Sequence, residues 1–143
     1  MTLFDPGRAI IRFANSSDIP ALIEFLQPFI DEGELLPRTF AELEMLLNTF
    51  FIALVDDTIV GCAALEIYSP KLAEIRSLAV APHTQGSGIG KKLVQACVDL
   101  GAERGVYEIM AISASDKFFH ACGFDYTLPN LRRAFFMQTR DTL

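Results

Sequence analysis

Residues 78–92 read Leu78-Ala79-Val80-Ala81-Pro82-His83-Thr84-Gln85-Gly86-Ser87-Gly88-Ile89-Gly90-Lys91-Lys92. An apolar run gives way to three closely spaced glycines and then to a lysine pair, the pattern of a strand turning into a helix through a loop that needs positive φ or close backbone approach. N–H groups at a helix start carry partial positive charge and lack intrahelical acceptors, so such a junction suits phosphate oxygens. The spacing excludes two familiar phosphate loops. A dinucleotide fingerprint, G-x-G-x-x-G, would need its third glycine at Lys91. A nucleoside triphosphate loop, G-x-x-x-x-G-K-[ST], fails because Gly86 is only four residues before Gly90 and Lys91 is followed by Lys92.

Working outward, strand-like and helix-like segments alternate along the chain, which is α+β or α/β organisation. Residues 9–14 read as a first strand, and Asn15, Ser16, Ser17 and Asp18 supply acceptors for a helix start. Ile19, Leu22, Ile23, Leu26, Phe29 and Ile30 then recur at spacings of three and four, one buried helical face. Pro20 suits the first turn of that helix, and Pro28 should kink or end it. Thr39 and Glu42 form a T-x-x-E capping box for a second helix whose apolar face is Leu43, Leu46 and Leu47. Phe50–Val55 and residues 58–67 read as a hairpin turning at Asp56-Asp57, and Leu72–Val80 as a further strand. Residues 88–103 form a helix with Ile89, Leu93, Cys97 and Leu100 on one stripe. Residues 106–113 read as a strand, 116–122 as a short helix and 133–139 as a last strand.

Composition narrows the function classes. The 143 residues are enough for one domain with a sizeable core. Hydrophobic residues make up 51% and charged ones 21%, ordinary globular usage. Twelve Lys and Arg against eighteen Asp and Glu leave a net charge of −6, the wrong sign for general attraction to nucleic acid. The Arg132-Arg133 pair is too short to change that. Apolar stretches fall far short of the roughly 20 residues that span a bilayer. Asp5 and Pro6 interrupt the segment where an export signal would need its apolar core, so a cytoplasmic location is expected by default. Cys62, Cys97 and Cys122 are odd in number and widely spaced, which fits packed thiols better than disulfides or a metal knuckle. His120 has no ligand at metal spacing, and no metal is expected.

The loop resembles the acetyl-CoA-binding motif of the GNAT superfamily of N-acetyltransferases, Q/R-x-x-G-x-G/A, here Gln85-Gly86-Ser87-Gly88-Ile89-Gly90. Two flanking segments are similar in the same order. Glu74-Ile75-Arg76-Ser77-Leu78-Ala79-Val80-Ala81-Pro82 looks like the strand before that loop. Phe118-Phe119-His120-Ala121-Cys122-Gly123-Phe124 looks like the later F-Y-x-x-x-G-F segment. The resemblance implies a GNAT-like acyl-CoA N-acyltransferase fold of the α+β (α/β three-layer) class over residues 1–143, with a mixed, mostly antiparallel sheet of six or seven strands and about four helices.

It further implies that backbone N–H groups of Gln85, Gly86, Ser87, Gly88, Ile89, Gly90 and Lys91 hold the pyrophosphate of acetyl-CoA. The edge formed by Leu78, Ala79 and Val80 would bind the pantetheine arm like an added strand, and Phe119 would lie beside the cofactor. The chemistry would be direct attack of a small-molecule amine on the thioester, with a base nearby to take the proton. Glu74, where related acetyltransferases carry a catalytic glutamate, is the first candidate; alternatively it pairs with Arg76 on the same strand face. Backbone N–H groups near Leu78 to Val80 would stabilise the oxyanion. The family tyrosine that protonates the leaving thiolate is replaced by Phe119, which leaves Ser113, or more weakly Tyr126, as substitute.

For the acceptor, Gly33-Glu34-Leu35-Leu36-Pro37-Arg38-Thr39 and Gly61-Cys62-Ala63-Ala64-Leu65 are similar to acetyltransferase domains of N-acetylglutamate synthases. That suggests a free amino acid such as glutamate, its α-carboxylate clasped by Arg38; alternatively Arg38 is a surface arginine beside Glu34 or Glu42. Arg76 is a second candidate for a carboxylate. Glu66 stands where the resemblance leads one to expect a basic residue. A homodimer is expected from the resemblance alone. The competing reading, motivated by Phe119, is a non-catalytic acetyl-CoA sensor.

Overall fold

The computed structural model describes residues 6–126 and 134–141. Its sheet has five strands in sequence order: β1 (Ile10–Phe13), β2 (Phe50–Val55), β3 (Thr58–Ser69), β4 (Leu72–Val80) and β5 (Glu108–Met110). The first three pairings are antiparallel and the β4–β5 pairing is parallel. Four helices accompany them: α1 (Ile19–Asp31), α2 (Phe40–Leu46), α3 (Ile89–Glu103) and α4 (Asp116–Ala121).

Alternation along the strands builds three layers. On β2, Phe50 and Ile52 join the cluster that contains Ile19, Leu22 and Leu26 of α1 and Leu43 of α2, while Phe51 and Ala53 join the cluster around Ile89, Leu93, Val94, Cys97 and Leu100 of α3. β3 repeats the division, with Cys62 and Ala64 toward α1 and α2 and Ala63 and Leu65 toward α3. Successive side chains of a strand point to opposite faces, and both faces here are covered by apolar helix stripes. Full burial of each such Leu or Ile contributes roughly 2 kcal/mol. Gly61 permits the close approach of α3: a Cβ there would lie 2.9 Å from Leu93 Cδ1 and 3.2 Å from the Ala79 carbonyl oxygen.

Local signals behave as their chemistry requires. The Thr39 hydroxyl accepts from the Glu42 N–H at 3.1 Å while the Glu42 carboxylate accepts from the Thr39 N–H at 3.2 Å. Asp56 and Asp57 both have positive φ, 48° and 64°, as a two-residue turn between antiparallel strands needs. Arg12 on β1 donates to both oxygens of Asp18 at 2.7 and 3.0 Å, and Asp18 also accepts from the Asn15 N–H, closing the cap ahead of α1.

Four expectations need correction. Pro28 does not end α1, which runs three residues further to Asp31 and closes through the Gly33 N–H to the Ile30 carbonyl at 3.0 Å. The sheet has five strands among the described residues rather than six or seven. Of the expected strand over 133–139, position 133 lies outside the described residues, and 134–139 have no strand pairing and leave Phe135, Phe136 and Met137 exposed. The strand expected over 106–113 is paired only at Glu108–Met110, because β4 turns away from β5 after Glu74.

Candidate active site

That divergence creates the site. β5 pairs with β4 only at Leu72, Ala73 and Glu74. A bulge then reshapes β4: Cys62 faces Ala79 and Ala64 faces Arg76, so two β3 steps oppose three β4 steps, and Ser77 takes φ +55°. The extra residue bends the strand. Between β4 and β5 opens a cavity of about 830 Å³, lined by β4 from Glu74 to Val80, by the loop after it, by Ala111, Ile112, Ser113 and Ser115 beyond β5, by Phe118 and Phe119 of α4, by Phe29 of α1, and by Glu34, Leu35, Leu36 and Arg38 after it.

At one end of this cavity the chain leaves β4 through a short helical turn at Pro82–Thr84 and enters α3. The Gln85 amide donates to the Val80 carbonyl at 3.1 Å, and the buried Thr84 hydroxyl donates to the Ala81 carbonyl at 2.9 Å, which fixes the path of the loop. Gly86 and Gly88 have φ of +82° and +91° and open space where a Cβ would be, so both serve backbone conformation rather than packing. Gly90 serves packing: a Cβ there would meet Phe118 at 3.2 Å. The first turn of α3 leaves N–H groups without intrahelical acceptors facing the loop, with Lys91 beside the cavity.

At the other end, alternation on the α1/α2 face brings Glu66, Tyr68, Glu74 and Arg76 together, and Arg38 joins them from the segment before α2. Glu66 on β3 stands directly opposite Glu74 on β4. Like charges so placed repel, and each carboxylate has its own partner. Glu66 accepts from Arg38 Nη2 at 2.7 Å and lies 3.7 Å from Arg76 Nη1. Glu74, only 9% exposed, accepts from the Tyr68 hydroxyl at 2.6 Å. Arg38 also donates through Nε to the Ser77 hydroxyl at 2.9 Å. Burial and the hydrogen bond to Glu74 push the Tyr68 hydroxyl up to about 12, so it stays protonated. Burial alone would lower Arg76, but Tyr68, Glu66 and Glu74 outweigh it and hold its pKa above the ordinary value.

Comparison with known proteins agrees with this geometry. Residues 19–124 match the family described as acetyltransferase (GNAT) family. The chain belongs to the GNAT acetyltransferase family. An uncharacterized N-acetyltransferase of Chlorobaculum tepidum is 32% identical over 114 residues, 80% of this chain and 74% of its own. The amino-acid acetyltransferase of Pasteurella multocida is 33% identical over 129 residues, 86% of this chain but only 29% of that longer protein. Among solved structures, N-acetylglutamate synthase from Neisseria gonorrhoeae, complexed with coenzyme A and N-acetyl-glutamate, superposes with a TM-score of 0.73 at 32% identity, covering 79% of this chain and 27% of that one. This GNAT chain is an acetyl-CoA-dependent N-acetyltransferase of mixed α/β fold.

This one cavity of the GNAT fold gathers most of the residues singled out from sequence: Arg38, Glu74, Arg76, Leu78, Ala79, Val80, Gln85, Gly86, Gly88, Gly90, Lys91, Ser113 and Phe119. Two stand apart. The Ile89 side chain is fully buried in the core, and Ser87 turns its hydroxyl to the Thr84 carbonyl, so only their backbone is available to a ligand. Glu74 is held by Tyr68 while Glu66 takes Arg76, which replaces the alternative Glu74–Arg76 pair. Arg38 is not a surface arginine beside Glu34 or Glu42; its side chain is 10% exposed and bonded to Glu66. Ser113 accepts from the Ser115 N–H at 3.0 Å, helping to turn the chain into α4. Tyr126 binds Asp116 at 2.5 Å and lines a different depression, between β5 and α4.

Sequence reasoning missed Tyr68 and Ser77. The signal for Tyr68 was present, since Cys62, Ala64, Glu66 and Tyr68 follow period two, but its meeting with Glu74 depends on strand register. Cys62 and Cys97 are buried free thiols, with burial pushing Cys97 up to about 12. Among the described residues no cluster of His, Cys, Asp and Glu could hold a metal ion, and no helix is long and apolar enough to cross a membrane.

Proposed function

We propose that this enzyme transfers the acetyl group of acetyl-CoA to the α-amine of a free amino acid in a ternary complex. The observation that carries this reading is one cavity joining the glycine-rich loop before α3 to a carboxylate–guanidinium cluster across an open strand edge. The N–H groups of residues 85–91 receive the pyrophosphate, with Lys91 adding charge. The edge of Leu78, Ala79 and Val80, beyond the last β5 pairing at Glu74, takes the pantetheine arm by strand-like hydrogen bonds. Phe118 and Phe119 flank the thioester.

The thioester carbonyl then lies near Leu78 to Val80, where backbone N–H groups stabilise the oxyanion. Glu74 accepts a proton from the acceptor ammonium, directly or through water, so that the neutral amine attacks. Tyr68 occupies one carboxylate oxygen, Oε1, and thereby orients the other. The tetrahedral intermediate collapses with loss of the CoA thiolate. Phe119 offers no hydroxyl, so solvent or Ser113 returns the proton. Arg76, with Arg38 braced beside it against Glu66 and Ser77, places the acceptor's carboxylate, a reading supported by relatives that are amino-acid acetyltransferases.

Incubation with acetyl-CoA and a pool of amino acids, amines and peptides, read by mass spectrometry, tests this. An N-acetyl amino acid is the expected product. Acetylation confined to amines without a carboxylate, or CoA binding with no product, would overturn it.

A further inference from the structure

The acceptor end of the cavity is supplied with two guanidinium groups, yet both are engaged by one carboxylate. Arg38 spends Nε on Ser77 and Nη2 on Glu66, so the edge best shaped for a two-bond clasp is occupied within the protein. Its side chain is 10% exposed, against 32% for Arg76, whose nearest approach to Glu66 is the looser 3.7 Å. Arg38 is thus a strut between β3 and β4, and Arg76, more exposed and bonded besides only to the neutral Tyr68 hydroxyl among the described residues, is the guanidinium with donors left to offer. Counting charge, Arg38 and Arg76 are balanced by Glu66 and Glu74, and Glu34 adds a further carboxylate to the cavity lining. One carboxylate of a ligand finds a partner in Arg76. A second would enter a region lined by Glu34 and Glu74, where Glu66 already balances the two guanidinium groups and a further like charge costs affinity.

Resting on the amino-acid reading above, we infer that Glu66 is a specificity-determining residue: it restricts the acceptor to amino acids with one carboxylate and an uncharged side chain, and discriminates against dicarboxylates such as glutamate.

Glutamine and glutamate test this, since they match in shape and differ in side-chain charge. With the full chain and saturating acetyl-CoA, kcat/KM for glutamine should exceed that for glutamate by about tenfold or more, and asparagine should exceed aspartate in the same sense. Glu66→Gln should narrow the glutamine-to-glutamate ratio by about tenfold, with CoA binding by calorimetry and the melting temperature reporting that the variant is folded. A wild-type enzyme that uses glutamate as well as glutamine overturns the inference, as does a folded variant with an unchanged ratio. The wild-type comparison decides by itself if the variant does not fold. Failure of any amino acid to be acetylated is a different result, which removes the amino-acid reading and this inference with it.

Discussion

The Tyr68 hydroxyl donates a 2.6 Å hydrogen bond to Glu74 Oε1 from a strand neighbour that sits on the same sheet face. The carboxylate proposed as base is therefore held by a neutral donor, while Arg38 and Arg76 make their ion pairs with Glu66. Tyr68→Phe should lower kcat by about tenfold, the value of one well-placed hydrogen bond, with KM for acetyl-CoA unchanged. Glu74→Gln should cost about 10²–10⁴-fold in kcat and leave CoA affinity intact. Steady-state kinetics with calorimetric CoA binding separates the two effects, and a Glu74→Gln rate equal to wild type removes Glu74 from the mechanism.

Gly88 starts α3 at φ +91° with open space around its missing Cβ. Any side chain there is strained by about 1–2 kcal/mol, and an acidic one places negative charge where phosphates are proposed to bind. Gly88→Glu should weaken CoA by at least ~100-fold, and Gly88→Ala by less. Full CoA affinity in the glutamate variant would refute the phosphate-loop assignment.

Gly61 illustrates a different use of glycine. Its Cβ would press on Leu93 and on the Ala79 carbonyl, the latter a backbone atom with little room to give. Gly61→Ala should destabilise the protein by about 1–3 kcal/mol, seen as a melting temperature several degrees lower. An unchanged melting temperature would mean that α3 can lift without cost.

Asp18 is held below the usual carboxylate range, first by its hydrogen bonds from Arg12 and then by the Asn15 N–H. A carboxyl depressed in the folded state stabilises above its unfolded pKa, near 3.9, and that contribution fades as pH falls through the folded value. Asp18→Asn should cost about 1 kcal/mol at pH 7, and the difference from wild type should shrink below about pH 4. Urea midpoints across that range are the measurement; a difference that does not shrink at all as pH falls below about 4 argues for packing rather than charge.

Much of this fold is written in short-range chemistry. Thr39 and Glu42 announce α2, the paired aspartates announce the hairpin, and the Ile89, Leu93, Cys97 and Leu100 stripe announces the helix that covers the sheet. The Gln85 to Gly90 loop is equally legible because its glycines answer to local backbone geometry. Relationships across strands are not. Whether Arg38 meets Glu34 or Glu66, and whether Glu74 meets Arg76 or Tyr68, is settled by register and by a bulge that no local preference signals. Pro28 misleads in the opposite sense: packing of Leu22 and Leu26 under α1 carries the helix past a residue that removes a hydrogen bond.

The extra residue at Ser77 divides β4 into two halves of opposite parity. Even-numbered Glu74 and Arg76 look toward α1 and α2, and after the bulge odd-numbered Ala79 takes that outlook. Acceptor chemistry and cofactor backbone therefore share one strand without sharing one alternation rule. Regular alternation carried through all of residues 74–80, with no bulge, would leave the carboxylate end in place and turn the cofactor end over, sending Val80 toward α1 and Ala79 toward α3. The insertion keeps the two halves of the reaction in a common phase.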